Sequence, residues 1–359
     1  MSVPLDELLK KMIQVEASDL HLKAGSPPVM RVDGDLHHTT LPALRPEDAE
    51  AYAQAIFTQR AAVEFRNTGE ADFAYGKSGL GRFRVNAYRQ RGSVALVLRR
   101  VLPVSKTFGE LGLPKILEKL SHEPRGLVVV TGPTGSGKTT TLASMIDYMN
   151  TNRRLNIVTI EDPIEVLHRD KNSIVSQREI GMDTIDFNEA IRRALRQDPD
   201  VILIGEMRDA ETMRAAMRAA ETGHLVLSTM HTIDAPETVN RILDMFPPHQ
   251  ERQIRMMLAA TLRAVISQRL LEKTDGGRTV AVEVLINNGR VFDRIINAEE
   301  GLNLLEVMSE SEFYGMQTFD QAILRLFEEK EITFQTALAS ATSPHDLRVA
   351  AEQKGLLQG

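Results

Sequence analysis

The stretch from Gly126 to Thr141, GLVVVTGPTGSGKTTT, constrains this chain more than any other. Leu127 to Val130 form a short apolar, mostly β-branched run. Gly132-Pro133-Thr134-Gly135-Ser136-Gly137-Lys138-Thr139-Thr140 follows, and the next residues, LASMIDYM, are compatible with a helix. The spacing is G-x-x-x-x-G-K-[ST], set between a buried strand and a helix. Glycines let the backbone curl until successive N–H groups face one point, and the N-terminus of the following helix aims positive charge at the same point. The implied ligand is a phosphate chain, with Lys138 on the β- and γ-phosphates and the Thr139 hydroxyl on Mg²⁺. A glycine-rich turn with an incidental lysine is the competing reading; the strand before and the helix after count against it.

Further apolar runs supply the rest of an α/β sheet. LNIVTI (155–160) ends in Glu161-Asp162-Pro163-Ile164-Glu165, and VILIG (201–205) delivers Glu206 followed by Arg208 and Asp209. Acids just past the end of a parallel strand lie where such sheets bind ligands, and an aliphatic strand ending in an acid suits a carboxylate beside Mg²⁺ and an attacking water. For Asp162 a turn cap before Pro163 is the competing reading. HLVLSTMH (224–231) is the next strand. His224 and His231 bracket it, which makes His231 a candidate γ-phosphate sensor. FNEAIRRALRQ (187–197) and the segment with Met213, Ala216, Met217 and Ala220 on one face read as helices. So does 250–266, before a last strand or pair in GRTVAVEVLI (277–286). The tail has helix starts at Thr318–Gln321 and Ser343–Asp346.

Before this core, Leu5, Leu8, Leu9, Met12 and Ile13 form a helical stripe. SDLHL and a hairpin about Asp33-Gly34 follow, then a helix near 46–64 and strands at 81–91 and 93–101. This predicts a small α+β domain over residues 1–100 and a linker at 101–114. An ATPase core over 115–290 and a helical region over 291–359 complete the chain. Arg82, Arg84 and Asn86 share one strand face opposite Phe83, Val85 and Ala87. That face is a solvated surface, a set of arginines offered to a neighbouring subunit's phosphates, or a nucleic-acid patch; Arg208 and Arg214 are the other cations to consider.

Composition narrows the function classes. The 359 residues are 42% apolar, enough for a sizeable core, and the net charge of −6 argues against a constitutive nucleic-acid coat. With no cysteine, disulfides, Fe–S clusters and thiolate zinc sites are excluded, and no histidine pair has zinc-protease spacing. No apolar run reaches the roughly 18–20 residues of a membrane span, and MSVPLDELLKKM lacks a signal-peptide core, so a soluble, cytosolic protein is expected.

Four motifs, GPTGSGKT, IEDPIE, LRQDPDVILIGEMRD and HLVLSTMHT, stand in fixed order. Together they resemble the secretion-type hexameric ATPases. ASDLHLKAGSPPVMRVDG near the start and GMQTFDQAI near the end are similar to the type IV pilus retraction branch, PilT and PilU. The lack of a four-cysteine zinc insert agrees with that branch. The resemblance implies a RecA-like P-loop core, a PAS-like N-terminal domain, a helical C-terminal tail and a homo-hexamer using ATP and Mg²⁺. It makes Glu206 the catalytic glutamate beside the metal, Glu165 a second carboxylate near metal or water, and His231 the histidine of the His box. It places Arg82 and Arg84 on the strand that serves the neighbouring site. It further implies work with an inner-membrane pilus platform protein and pilin machinery, at the cytoplasmic face of the inner membrane, with the membrane met only through partners and no stable nucleic acid. Where retraction ATPases read AIRxxIREGK, this chain has VFDRIINAEEG (291–301). An accessory PilU-like role, a nucleotide-gated assembly partner and a RecA-like nucleic-acid motor stay open.

Overall fold

A computed structural model describes residues 3–103, 106–297 and 303–357. The chain divides into two compact units, the first ending at Pro103.

The first unit runs α1 (Leu5–Gln14), β1 (Asp19–Lys23), β2 (Val29–Val32), β3 (Asp35–His38), α2 (Pro46–Ile56), α3 (Gln59–Thr68), β4 (Glu70–Lys77), β5 (Gly81–Gln90) and β6 (Ser93–Pro103). The strands pair antiparallel in the order β3-β2-β1-β6-β5-β4. Asp33 and Gly34 both take positive φ between β2 and β3, the backbone of a two-residue hairpin turn. Leu8, Leu9 and Met12 of α1 pack with Leu20, Leu22, Phe83, Val85, Leu96 and Leu98. β5 alternates as its sequence predicts: Phe83, Val85 and Ala87 are buried, and Arg84 faces solvent. Two expectations need correction. The single helix near 46–64 is two, because the Thr58 hydroxyl accepts the Ala61 N–H and starts a new one. A third strand, β4, precedes the expected pair.

The second unit begins with α4 (Ile116–Leu120), β7 (Gly126–Thr131), α5 (Lys138–Asn152), β8 (Asn156–Glu161), β9 (Val166–Leu167) and β10 (Ile174–Glu179). It continues with α6 (Phe187–Ala194), β11 (Val201–Ile204), α7 (Ala210–Glu221), β12 (Leu225–Met230), α8 (Ala235–Asp244), α9 (Glu251–Thr261), β13 (Leu262–Glu272) and β14 (Arg278–Ile286). α10 (Gly289–Ile296), α11 (Leu304–Ser309), α12 (Phe319–Glu328), α13 (Phe334–Ser340) and α14 (Pro344–Gln353) complete it. Its 7-stranded sheet has the order β10-β8-β11-β12-β7-β13-β14, parallel except for β14 at the edge.

Burial on both faces explains the unbroken apolar strands. Leu127, Val129, Ile202, Ile204 and Val226 pack under α6 to α11, whereas Val128, Val130, Val201, Leu203 and Leu227 pack under α4 and α5. Each such aliphatic side chain contributes about 1.5–3 kcal/mol. The helix expected over 250–266 ends at Thr261, and from Leu262 the chain is β13, lying between β7 and β14. β10 is likewise absent from the expected elements. β7 is bounded by two glycines at positive φ, Gly126 (123°) and Gly132 (140°). A Cβ on Gly126 would meet Arg263 Cγ at 2.4 Å, and one on Gly132 would meet the Gln268 carbonyl at 2.5 Å. The tail helices form as their caps predict: Thr318 and Gln321 make a capping box, and Ser343 caps α14. α10 (Gly289–Ile296) takes in residues 291–296 of the VFDRIINAEEG stretch; residues 298–301 of it lie outside the described residues.

Candidate nucleotide site

β8, β11, β12 and β7 are neighbours running the same way, so their carboxyl ends line one edge of the sheet. The Lys138 loop, Glu165, Glu206 and His231 follow those ends, whereas His224 stands at the opposite end of β12 and Arg214 within α7. Strands buried on both faces leave their ends as the places where polar side chains meet a ligand.

At the end of β7 the loop turns through Gly132 into α5, which starts at Lys138. Pro133, Thr134, Gly135, Thr139 and Thr140 face solvent, while Ser136 and Lys138 are buried. Lys138 folds back along the loop, and its Nζ donates to the carbonyls of Gly132 (2.7 Å) and Pro133 (2.9 Å). Burial holds this ammonium below the usual lysine range, while the charges of Glu206 and Glu165 pull it up. The Ser136 hydroxyl is buried and has no hydrogen-bond partner among the described residues. The floor comes from β13. Gln268 donates from Nε2 to Thr141 Oγ1 on α5 (2.9 Å), and Thr131 Oγ1 donates to Ser267 Oγ (3.0 Å).

Past β11, Gly205 donates to the Ile160 carbonyl (2.8 Å), and its own carbonyl accepts the Thr229 hydroxyl of β12 (2.7 Å). Met207 N–H donates to the Thr229 carbonyl (3.1 Å), so the backbone on either side of Glu206 hangs from β12. The Glu206 carboxylate is paired with Arg208 at 2.6 Å and with His231 Nε2 at 3.5 Å. Asp209 instead caps α7, accepting the Thr212 N–H and hydroxyl. His224 is also structural, bonding the Ala219 carbonyl at the end of α7.

Glu165 is exposed, and its charge acts on Lys138. The buried carboxylate of the same motif is Glu161, which sequence reasoning did not select. It accepts from Thr159 Oγ1 (2.6 Å), Gln177 Nε2 (3.1 Å) and the Glu165 N–H, and burial raises its pKa. Gln177 comes from β10, so no local sequence signal could have found the arrangement. Among the described residues no cluster of three or more His, Cys, Asp or Glu side chains could hold a metal. The donor set suits Mg²⁺, which takes one or two protein oxygens and completes its shell with phosphate and water. The Thr139 hydroxyl, exposed in the first turn of α5, and Glu206 are the groups available for it.

Arg82 and Arg84 belong to the first unit, on the less buried face of β5. Arg214 is engaged by Gln250 and by the ring of Phe246.

A profile of the type II/IV secretion system protein family matches residues 2–285. The chain belongs to this family. Among family relatives, the type IV pilus retraction ATPase PilT of Pseudomonas aeruginosa is 42% identical over 95% of this chain and 99% of its own length. The type IV pilus ATPase PilU of the same organism is 43% identical over 96% and 90%. A crystal structure of the pilus retraction motor PilT with bound ADP superposes with a TM-score of 0.88 at 45% identity, covering 97% of this chain and all of that one. The Legionella pneumophila ATPase DotB follows, with a TM-score of 0.80 at 29% identity over 93% of each chain. The fold is thus that of the PilT and DotB secretion ATPases, and no helix among the described residues is long and apolar enough to cross a membrane.

Proposed function

We propose that this chain is the subunit of a six-membered ring that hydrolyses ATP to power type IV pilus retraction at the cytoplasmic face of the inner membrane. The observation that carries the reading is the placement of Glu206. It stands at the carboxyl edge of the sheet, held by Arg208 and His231 and acting on the same lysine that closes the phosphate loop. The loop amides and Lys138 would hold the phosphates, and Mg²⁺ bound through Thr139 and Glu206 would neutralise charge on the β- and γ-oxygens. Arg208 fixes one Glu206 oxygen and leaves the other toward His231, which orients it to take a proton from water in line with the γ-phosphate. Glu165 is exposed on the same side as a second carboxylate. Arg82 and Arg84 would supply the cation across the subunit interface, so hydrolysis alters how two subunits pack and the ring can do work on a pilus platform partner.

The test pairs a purified ring with a deletion strain. Mg²⁺-dependent ATP turnover, and excess pili with lost surface movement restored by the wild-type chain but not by Glu206→Gln, are expected. Turnover without any retraction phenotype would move the chain to an accessory, PilU-like role. Stimulation by DNA or RNA would replace the pilus reading altogether.

A further inference from the structure

Glu283 lies midway along β14 and is 1% exposed. Its Oε1 accepts the Ala235 N–H at 2.8 Å, and the Phe319 N–H also donates to its carboxylate. Ala235 is the first residue of α8, and Phe319 is the first residue of α12. One buried carboxylate therefore closes the starts of two helices that are far apart in the sequence. Each start has N–H groups without an intrahelical partner, and each carries the positive end of a helix dipole.

Both helices are fastened beyond that point. On the α8 side, the segment leaving β12 through His231 is locked to the first turn. Thr232 and Thr238 share a hydroxyl bond (2.6 Å), Ile233 N–H donates to Glu237 Oε2 (3.0 Å), and Asp234 accepts the Glu237 N–H (2.8 Å). On the α12 side, Gln317 exchanges two main-chain bonds with Val284 and donates from Nε2 to the Val282 carbonyl (2.6 Å). Arg269 of β13 lies 3.8 Å over the Phe319 ring and donates to the Ser340 carbonyl at the end of α13 (2.8 Å). Asp320 holds the Thr342 and Ser343 N–H groups that lead into α14.

We propose that Glu283 is a positioning residue that ties the C-terminal helices to the segment carrying His231, so that a displacement of α12 reaches the Glu206–His231 pair. This rests on the reading of that pair as the hydrolytic centre. Burial and the nearby Asp234, which caps α8, push the Glu283 carboxyl up to about 7, against Arg269 of β13 and the Ala235 and Phe319 N–H groups. The charged form, which can accept from both helices, is lost as pH falls through that value.

Glu283→Gln keeps the shape but turns one acceptor into a donor facing N–H groups. In the full chain, amide hydrogen exchange over 232–238 and 317–323 should quicken together. kcat should fall about tenfold, nucleotide affinity should stay within about twofold because the Lys138 loop is untouched, and the wild-type decline in kcat from pH 8 to 6.5 should flatten. Gln317→Ala removes only the side-chain bond from the tail to the Val282 carbonyl of β14, yet should also quicken exchange at 232–238. The double variant should turn over no more slowly than Glu283→Gln alone. Unchanged exchange at 232–238 in Gln317→Ala, or effects on kcat that multiply, would overturn the link. If Glu283→Gln does not fold, Gln317→Ala decides by exchange alone. A wild-type ring without turnover would end the hydrolytic reading while the exchange arms still judge the coupling.

Discussion

The two sheets put their chemistry in different places. In the antiparallel sheet of the first unit, β5 buries Phe83, Val85 and Ala87 and turns Arg82, Arg84 and Asn86 the other way, so function there has to be displayed on a face. In the parallel sheet of the second unit both faces are covered, and Glu161, Glu206, His231 and the Lys138 loop all gather at strand ends. A face presents a row of groups to something outside; an edge gathers groups from several strands about one point.

The largest effect expected is on the face. A cation supplied to a neighbour's γ-phosphate is typically worth about 10³–10⁵ in rate, whereas an exposed ion pair is worth at most about 1 kcal/mol. The double change Arg82→Ala and Arg84→Ala should cut kcat by at least about 10³ in assembled rings with nucleotide affinity nearly intact. Glu206→Gln subunits mixed in should restore part of it. Normal turnover by the double variant would reduce this face to a solvated surface and break the comparison.

At the edge, Glu206→Gln should retain ATP and lower kcat by about 10²–10⁴, the range for a positioned base. Single-turnover kinetics would read it, and a loss below tenfold would shift attention to Glu165 or Glu161. Lys138→Ala removes the buried ammonium, and calorimetry should show affinity weakened by about 10- to 100-fold. An affinity within about threefold of wild type would mean that the loop amides alone hold the phosphates.

The smallest effect sharpens the contrast between edge and interior. His168, on the connection between β8 and β10, is pushed down to about 4 by burial. A histidine with a lowered native pKa leaves the folded state binding fewer protons than the unfolded chain. Its stabilising share is present above pH 6.5 and is lost as pH falls toward 4. Denaturant titrations should therefore show about 1 kcal/mol of this loss between pH 7 and pH 5.5. His168→Gln should remove that slope and leave kcat unchanged.

What the sequence made legible follows the same division. Strand-end groups are readable because an aliphatic run announces the strand and the residues just past it fall at the sheet edge; Glu206 and the Lys138 loop are placed in this way. β13 was hidden because LRAVISQRL is buried on both sides and so lacks the alternation that marks a half-exposed strand. Ile254, Leu258 and Leu262 also continue helical spacing across the true boundary at Thr261. β4 does alternate at Ala71 and Phe73, but Glu70, Asp72 and Gly76 make it resemble a connection. Glu161, Gln268 and Glu283 were illegible for another reason: their partners arrive through sheet pairing and packing from residues such as Gln177, Thr141 and Ala235.

The glycines that close both ends of β7 have a consequence for how this sequence can drift. At Gly126 and Gly132 the main chain sits in a left-handed region with a neighbour where a methyl group would go, so a saturation library should return one survivor at each position. Between them, Leu127 to Val130 are packed in apolar clusters, and that interval should accept volume-conserving exchanges among Val, Ile and Leu at a cost under about 1.5 kcal/mol each. The strand that carries the phosphate loop thus has four interchangeable letters, from Leu127 to Val130, between two glycines that cannot change.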